Sequence, residues 1–208
     1  MASSFSIQIP AIIHLMQKIH PKTVLDIGKG FGKYGFLIHE YVGISNTKRL
    51  QSDKTLRELS EVTIDAVEVD ADLMLPHLPH LYTNVYFENI LQLYPRLGVY
   101  DLVLMIDIIE HIEKKGALKL LQHLLKHGSK IIIATPIDFF KTLYESVFEH
   151  HVSHWTKKDF KNLGYLNVQY FDAGAVYLLS NEKMNIRGFG NSWIKKLRRI
   201  ARAVKNEM

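Results

Sequence analysis

A doubly wound α/β domain is what this 208-residue sequence predicts, and three observations carry that prediction. Short apolar runs recur along the chain, and most are continuous rather than alternating, as strands covered on both faces require. Segments with helical spacing lie between them. The first run, "TVLDI", passes directly into the glycine-rich turn "GKGFG", the point where an open sheet changes from strand to helix and where ligands approach.

The elements follow in order. "IPAIIHLMQKI" has apolar residues at helical spacing and closes before Pro21. "TVLDI" is the first strand, and "FGKYGFLIHEY" after the glycines reads as a helix. "SNTKRLQSDKTLRELSE" is polar, a loop or a short surface helix. It is long for a connection in an α/β unit, so residues 43–61 are a candidate lid or insertion. "VTIDAVEV", "NVYFENI", "YDLVLMI" and "SKIIIATP" supply four more strands. "HIEKKGALKLLQHLLKHG" is an amphipathic helix stopped by Gly128. "TKKDFKNLG" reads as a helix, and "YLNVQYFD" and "AVYLLSNE", separated only by "AG", as an antiparallel hairpin. The expectation is a mostly parallel seven-stranded sheet with an antiparallel C-terminal hairpin strand, one domain over residues 1–182. A basic amphipathic helix in a C-terminal tail, 183–208, completes it.

Composition narrows the function classes. With 47% hydrophobic and 23% charged residues, the chain reads as an ordinary soluble globular protein. It has no cysteine, which excludes disulfides, iron–sulfur clusters and thiolate zinc sites. The opening "MASSFSIQIPAIIHLMQKIH" lacks a basic stretch followed by an unbroken apolar core, and no apolar run is long enough to cross a bilayer. A cytoplasmic location is the expectation. The formal charge of +5 is concentrated: from Arg187 onward seven Lys/Arg face Glu207 alone, a net +6, which leaves the body at −1. In that tail Trp193, Ile194, Leu197, Ile200, Ala201 and Val204 share one helical face. Residues 193–205 therefore suit docking on the chain's own domain or a second subunit, or peripheral contact with an anionic membrane surface.

The glycine turn defines its ligand by spacing. A dinucleotide fingerprint G-x-G-x-x-G counted from Gly28 would place its third glycine at Lys33, and no G-K-[ST] follows for a P-loop. What stands instead is D-x-G-x-G-x-G, from Asp26 through Gly28 and Gly30 to Gly32. A carboxylate pointing into such a site repels phosphate and attracts an ammonium group. This argues against a nicotinamide oxidoreductase.

"VLDIGKGFG" resembles the first motif of the class I S-adenosylmethionine-dependent methyltransferases, and later segments agree in order over about residues 20–180. Glu68 in "AVEVD" resembles the acid those enzymes place on the ribose hydroxyls, a role suited to a carboxylate that accepts two hydrogen bonds from a vicinal diol. "YFENILQL" resembles the third segment, with Asn89 where the family usually carries Asp near the adenine. "DLVLMIDIIEHI" matches the fourth, with Asp107 at the strand end and Glu110 and His111 expected to open the next helix. The resemblance implies S-adenosylmethionine as cofactor, with Asp26, Gly28, Lys29, Gly30, Gly32, Glu68, Val69, Asn89, Ile90 and Asp107 around it. It implies methyl transfer by in-line displacement to an O or N atom.

Such a displacement needs positioning more than covalent help, and a base only where the acceptor arrives protonated. His111 and His151 are the candidate bases, with Asp107 as a further catalytic candidate. "HVSHWT" (151–156) resembles a stretch in one bacterial subset of these enzymes, and Trp155 with Phe139 or Phe140 would wall an apolar substrate. His150 and His154 stand at i, i+4 but lack an acidic third ligand in the sequence, so no metal is expected. No "[DN]-P-P-[YFW]" follows the fourth strand and the body is near neutral, which disfavours nucleic acid. A small molecule or metabolite is the expected methyl acceptor. The alternative is a non-catalytic cofactor-binding module acting through its basic tail on a membrane surface, nucleic acid or protein partner.

Overall fold

The computed structural model of the chain describes residues 5–44, 54–138 and 150–189. Its strands are β1 (Thr23–Ile27), β2 (Thr63–Glu68), β3 (Asn84–Phe87), β4 (Leu102–Ile106), β5 (Lys130–Pro136), β6 (Tyr165–Tyr170) and β7 (Gly174–Ser180). They form one sheet in the order β3-β2-β1-β4-β5-β7-β6. Pairing is parallel from β3 to β5, and β7 runs antiparallel to both β5 and β6. The helices are α1 (Ile9–Ile19), α2 (Lys33–Ile38), α3 (Leu56–Leu59), α4 (Ile90–Leu93), α5 (Lys114–Lys126) and α6 (Lys157–Phe160). The mixed α/β sheet with its C-terminal hairpin is the one expected. The expected tail helix over 193–205, and Phe139 and Phe140, lie outside the described residues.

Continuous apolar strands serve two layers at once. In β4, Val103 and Met105 pack on one face while Leu102, Leu104 and Ile106 pack on the other. In β5 the same alternation sends Ile131 and Ile133 one way and Ile132 and Ala134 the other. The first face is covered by α5, through Leu120, Leu121, Leu124 and Leu125, and by Trp155 and Phe160. The second is covered by Ile12, Leu15 and Met16 of α1 with Tyr34 and Ile38 of α2. Each fully buried leucine contributes about 2 kcal/mol by removal from water, so the two layers hold the sheet between them.

Carboxylates pin the strand starts and edges. Asp101 accepts from the backbone N–H groups of Lys22 (2.7 Å) and Thr23 (2.9 Å), joining the entries of β1 and β4. Asp65 accepts from Asn84 and from the Tyr100 hydroxyl (2.8 Å), tying β2 to β3.

Three local features depart from the sequence expectations. α2 ends at Ile38 and continues as a π-helical turn, His39–Gly43. There the buried His39 ring sits 2.7 Å from the Leu81 carbonyl, and a Cβ on Gly43 would fall 1.9 Å from the Ser60 hydroxyl. Glu110 and His111 do not open α5; they occupy a separate 3-10 turn, Ile109–His111, and α5 begins at Lys114. Finally, the residues just past 182 pack on the α1 side of the sheet. Ile186 is buried against the α1 layer with Met184 and Phe189 packed there, and His14 Nε2 lies 2.8 Å from the Arg187 carbonyl.

Candidate functional site

Strands β2, β1 and β4 end side by side, and chain connections leave β1 and β4 for opposite edges of the sheet. That switch point opens a crevice beyond the strand ends. The loop after β1 fills its floor. Gly28 N donates to the Val67 carbonyl (2.8 Å) and Gly32 N to the Lys29 carbonyl (2.8 Å). Gly28 has φ +73°, and a Cβ there would fall 1.9 Å from Ile108 Cδ1. Gly30, at φ +50°, meets nothing within 4 Å of its would-be Cβ, so open space lies beside its Cα. One glycine thus admits the β4 loop, and the other leaves room for a ligand.

Glu68 braces this loop. Its Oε2 accepts from Gly30 N (3.1 Å), and its Oε1 from Val69 N (2.9 Å) and Asp70 N (3.3 Å). Lys29 is 4% exposed; its ammonium donates to the carbonyls of Leu73 (2.9 Å) and Gly30 (3.3 Å) and lies 5.2 Å from the centre of the Phe87 ring. Burial pushes that ammonium's pKa down. Lys29 therefore straps the loop to the segment after β2 rather than reaching into the crevice.

Asp26 lies under the loop, not in the open crevice. It is 2% exposed, and its Oδ2 accepts from the Tyr82 hydroxyl at 2.6 Å. Burial holds its carboxyl up at about 6, with the Tyr82 hydrogen bond working against that rise. Val69 is partly exposed at the crevice edge. Asn89 caps α4, its side-chain oxygen accepting from Leu91 N (2.9 Å). The Ile90 side chain is in the core, which leaves its backbone to face any ligand.

Asp107 is the exceptional residue. It follows β4 with φ +53°, a left-handed conformation uncommon for a side chain beyond glycine. Both its carboxylate oxygens are buried and have no hydrogen-bond partner among the described residues. Burial raises its pKa to about 6, and the Lys33 ammonium pulls it down. A buried carboxylate with nothing to accept from is costly, so the geometry calls for a cationic or hydrogen-donating partner in the crevice.

Beyond Asp107 the candidate bases come together. The His111 and His151 rings are 5.0 Å apart, edge to face, and one ligand-capable atom each from Glu110, His111 and His151 lie within 4.8 Å of one another. Glu110 is 3% exposed and accepts from the Thr135 hydroxyl (3.1 Å). Burial, with the neighbouring Asp107 second, pushes its carboxyl up to about 8. His111 Nδ1 lies 3.1 Å from the His150 carbonyl, which orients the ring.

The 150–155 segment is held to the Ile109–His111 turn by its own sequence. Val152 N and Ser153 N donate to the Glu110 carbonyl (2.9 and 3.0 Å), and the Ser153 hydroxyl reaches the carbonyls of Ile109 (3.1 Å) and Ile112 (2.8 Å). Trp155 Nε1 donates to Ile109 O (3.1 Å). Trp155 is 1% exposed and stacks on Phe160 at 5.2 Å, so it is a core anchor and not a substrate wall. The segment is not helical, which removes the helical premise for pairing His150 with His154; His154 instead lies 2.9 Å from the Ile137 carbonyl. Three residues of this site were not singled out as site residues by the sequence: Tyr82, Ile108 and Glu110. Only Glu110 carried a signal, its place three residues after Asp107.

No protein-family model matches the sequence, and no curated protein does. Solved structures match. An O-methyltransferase family protein from Burkholderia thailandensis superposes with TM-score 0.55 at 11% identity, over 85% of this chain and 57% of that one. A SAM-dependent methyltransferase from Archaeoglobus fulgidus gives TM-score 0.54 at 17% identity, over 80% and 72%. The plantazolicin methyltransferase BamL, solved with a triazolic desmethyl analogue and SAH, gives 0.55 at 13%, over 85% and 86%. This chain thus spans little more than half the length of the Burkholderia protein. The likeness is one of fold, and with the strand order β3-β2-β1-β4-β5-β7-β6 it defines the class: this chain has the class I SAM-dependent methyltransferase fold.

Proposed function

We propose that this chain is an S-adenosylmethionine-dependent methyltransferase acting on an O or N atom of a small-molecule or metabolite acceptor. The observation that carries the reading is the buried Asp107 carboxylate, without a partner among the described residues, together with a glycine loop that has open space beside the Gly30 Cα. The cofactor is a cation with an ammonium group, and that donor set fits it. Asp107 would receive the ammonium end, Gly28 and Gly30 would lie under the methionine part, and Glu68 with Val69 would face the ribose. Glu68 already accepts three backbone hydrogen bonds, so of its roughly four acceptor sites one is left for a ribose hydroxyl, from a position fixed in advance. Asn89 and the Ile90 backbone would border the adenine. When bound, the cofactor supplies an electrophilic methyl group on sulfur.

The chain's own residues supply the rest. The crevice positions the acceptor in line, which can itself account for several kcal/mol of barrier. The Glu110–His111–His151 group would draw off the acceptor's proton. His111 Nδ1 faces the His150 carbonyl, which fixes the orientation of the ring. A body of near-neutral charge supports a small acceptor over a nucleic acid.

Calorimetric titration with S-adenosylmethionine, S-adenosylhomocysteine and NADH tests the reading. The first two should bind and NADH should not. Asp107→Asn should weaken S-adenosylmethionine binding about 10- to 100-fold, the loss of one hydrogen bond to a charged group. Binding of NADH alone, or an Asp107→Asn protein with unchanged affinity, would sink it.

A further inference from the structure

We propose that Glu110, His111 and His151 form a binding site for one divalent first-row transition-metal cation. One atom from each lies within 4.8 Å of the other two. Ligand atoms about 2.1 Å from one cation in tetrahedral geometry stand about 3.4 Å apart, so side-chain rotations that bring them up to about 1.4 Å closer complete the site.

Each ligand already has an outer partner of the kind that orients metal ligands. The His111 ring is turned by the His150 carbonyl at 3.1 Å. Glu110 accepts from the Thr135 hydroxyl on Oε2 at 3.1 Å, which fixes the carboxylate's orientation. The chain that follows His151 is fastened to the Glu110 turn through Val152, Ser153 and Trp155. These bonds set the third ligand against the first two across 40 residues of sequence.

Charge argues in the same direction. Glu110 is 3% exposed, and the Asp107 carboxylate near it is buried without a partner among the described residues. Asp107 is matched by the cofactor's ammonium as proposed above, whereas the desolvated Glu110 carboxylate is held in its ionised form only by a positive charge beside it. Two imidazoles and one carboxylate suit manganese, iron, cobalt or zinc better than the harder magnesium or calcium, and they leave coordination positions open.

The proposal deepens the methyltransferase reading and rests on it for its purpose. An acceptor hydroxyl at an open position would lose its proton to solvent water. Its oxygen gains the bond to the methyl carbon as the carbon–sulfur bond breaks, and the sulfonium becomes a neutral thioether. The cation would do by Lewis acidity what a base does by proton abstraction, with His111 and His151 as ligands.

The test uses the full chain, stripped with a chelator and titrated with cobalt(II) chloride, followed by calorimetry and by the visible d–d bands of cobalt. One equivalent should bind, with bands showing nitrogen ligation. Glu110→Gln, His111→Ala and His151→Ala should each weaken binding about 10- to 100-fold, and Thr135→Val about tenfold. His154→Ala, which removes the contact to the Ile137 carbonyl and no proposed ligand, should leave it unchanged. Absence of stoichiometric binding would overturn the proposal, as would equal losses in the ligand variants and His154→Ala. S-adenosylmethionine affinity, measured on the same metal-free proteins, shows that each variant is folded. It also separates the two readings: cobalt binding without cofactor binding removes the methyltransferase reading alone, and the reverse removes the metal site alone.

Discussion

Asp26→Asn turns the Asp26–Tyr82 pair into a measurable pH dependence. In the folded chain the Asp26 carboxyl is held at about 6, against an ordinary value of 3.8, chiefly because burial disfavours its charged form. The Tyr82 hydrogen bond opposes the shift, Glu68 adds to it, and Lys29 offsets part of it. The folded-state value lies above the unfolded one, so the folded chain holds this proton more tightly. That contribution to stability is complete below about pH 4 and is lost as pH rises through about 6. At about 1.4 kcal/mol per pKa unit, the loss amounts to about 3 kcal/mol by pH ~8.

Asparagine keeps an oxygen for the Tyr82 hydroxyl but cannot ionise. The stability of Asp26→Asn relative to the parent should therefore rise by about 3 kcal/mol between about pH 4 and about pH 8. Urea unfolding of both proteins at about five pH values across that range measures the difference directly, because the titrating groups not coupled to Asp26 cancel. Tyr82→Phe supplies the converse. It removes a bond that favours ionised Asp26, so its cost of about 1–3 kcal/mol should be larger at the alkaline end. A parent-minus-variant difference that stays flat with pH would refute the reasoning: Asp26 would then not be desolvated as the fold describes.

Two further outcomes bear on the loop and the 150–155 segment. Gly28→Ala forces a side chain into φ +73° and to 1.9 Å from Ile108 Cδ1, so it should cost about 1–3 kcal/mol and weaken cofactor binding. Thermal melts and calorimetry together check this, and an unchanged affinity would mean that Ile108 does not set the crevice. Ser153→Ala removes the hydroxyl that reaches the Ile109 and Ile112 carbonyls. It should cost about 1–2 kcal/mol and reduce cobalt affinity more than S-adenosylmethionine affinity, which paired titrations of the variant and parent will report.

Local pattern made most of the frame legible. "KIIIATP" reads as a doubly covered strand because each successive residue must face one of two apolar layers, and Ile131 to Ala134 divide between them in that way. α5 is legible because Leu120, Leu121, Leu124 and Leu125 repeat at the helical period. The glycine loop is legible because left-handed backbone restricts the residue type. The end of α2 was not, because the π-helical turn depends on Leu81 and Ser60, which are distant in sequence. Trp155 reads as a candidate wall in an apolar loop, and only its hydrogen bond to Ile109 and stack on Phe160 make it an anchor.

The sequence by itself determined the sheet, the order of its segments and the loop that a ligand approaches. These follow from side-chain periodicity and backbone sterics, which act between near neighbours. The tertiary structure decided which carboxylates stand where. Asp26 turns to Tyr82, 56 residues away; Asp107 is buried without a partner among the described residues; Glu110 and His111 meet His151. Desolvation and long-range charge depend on what the folded chain packs around a group. A residue's neighbours in sequence do not contain that information.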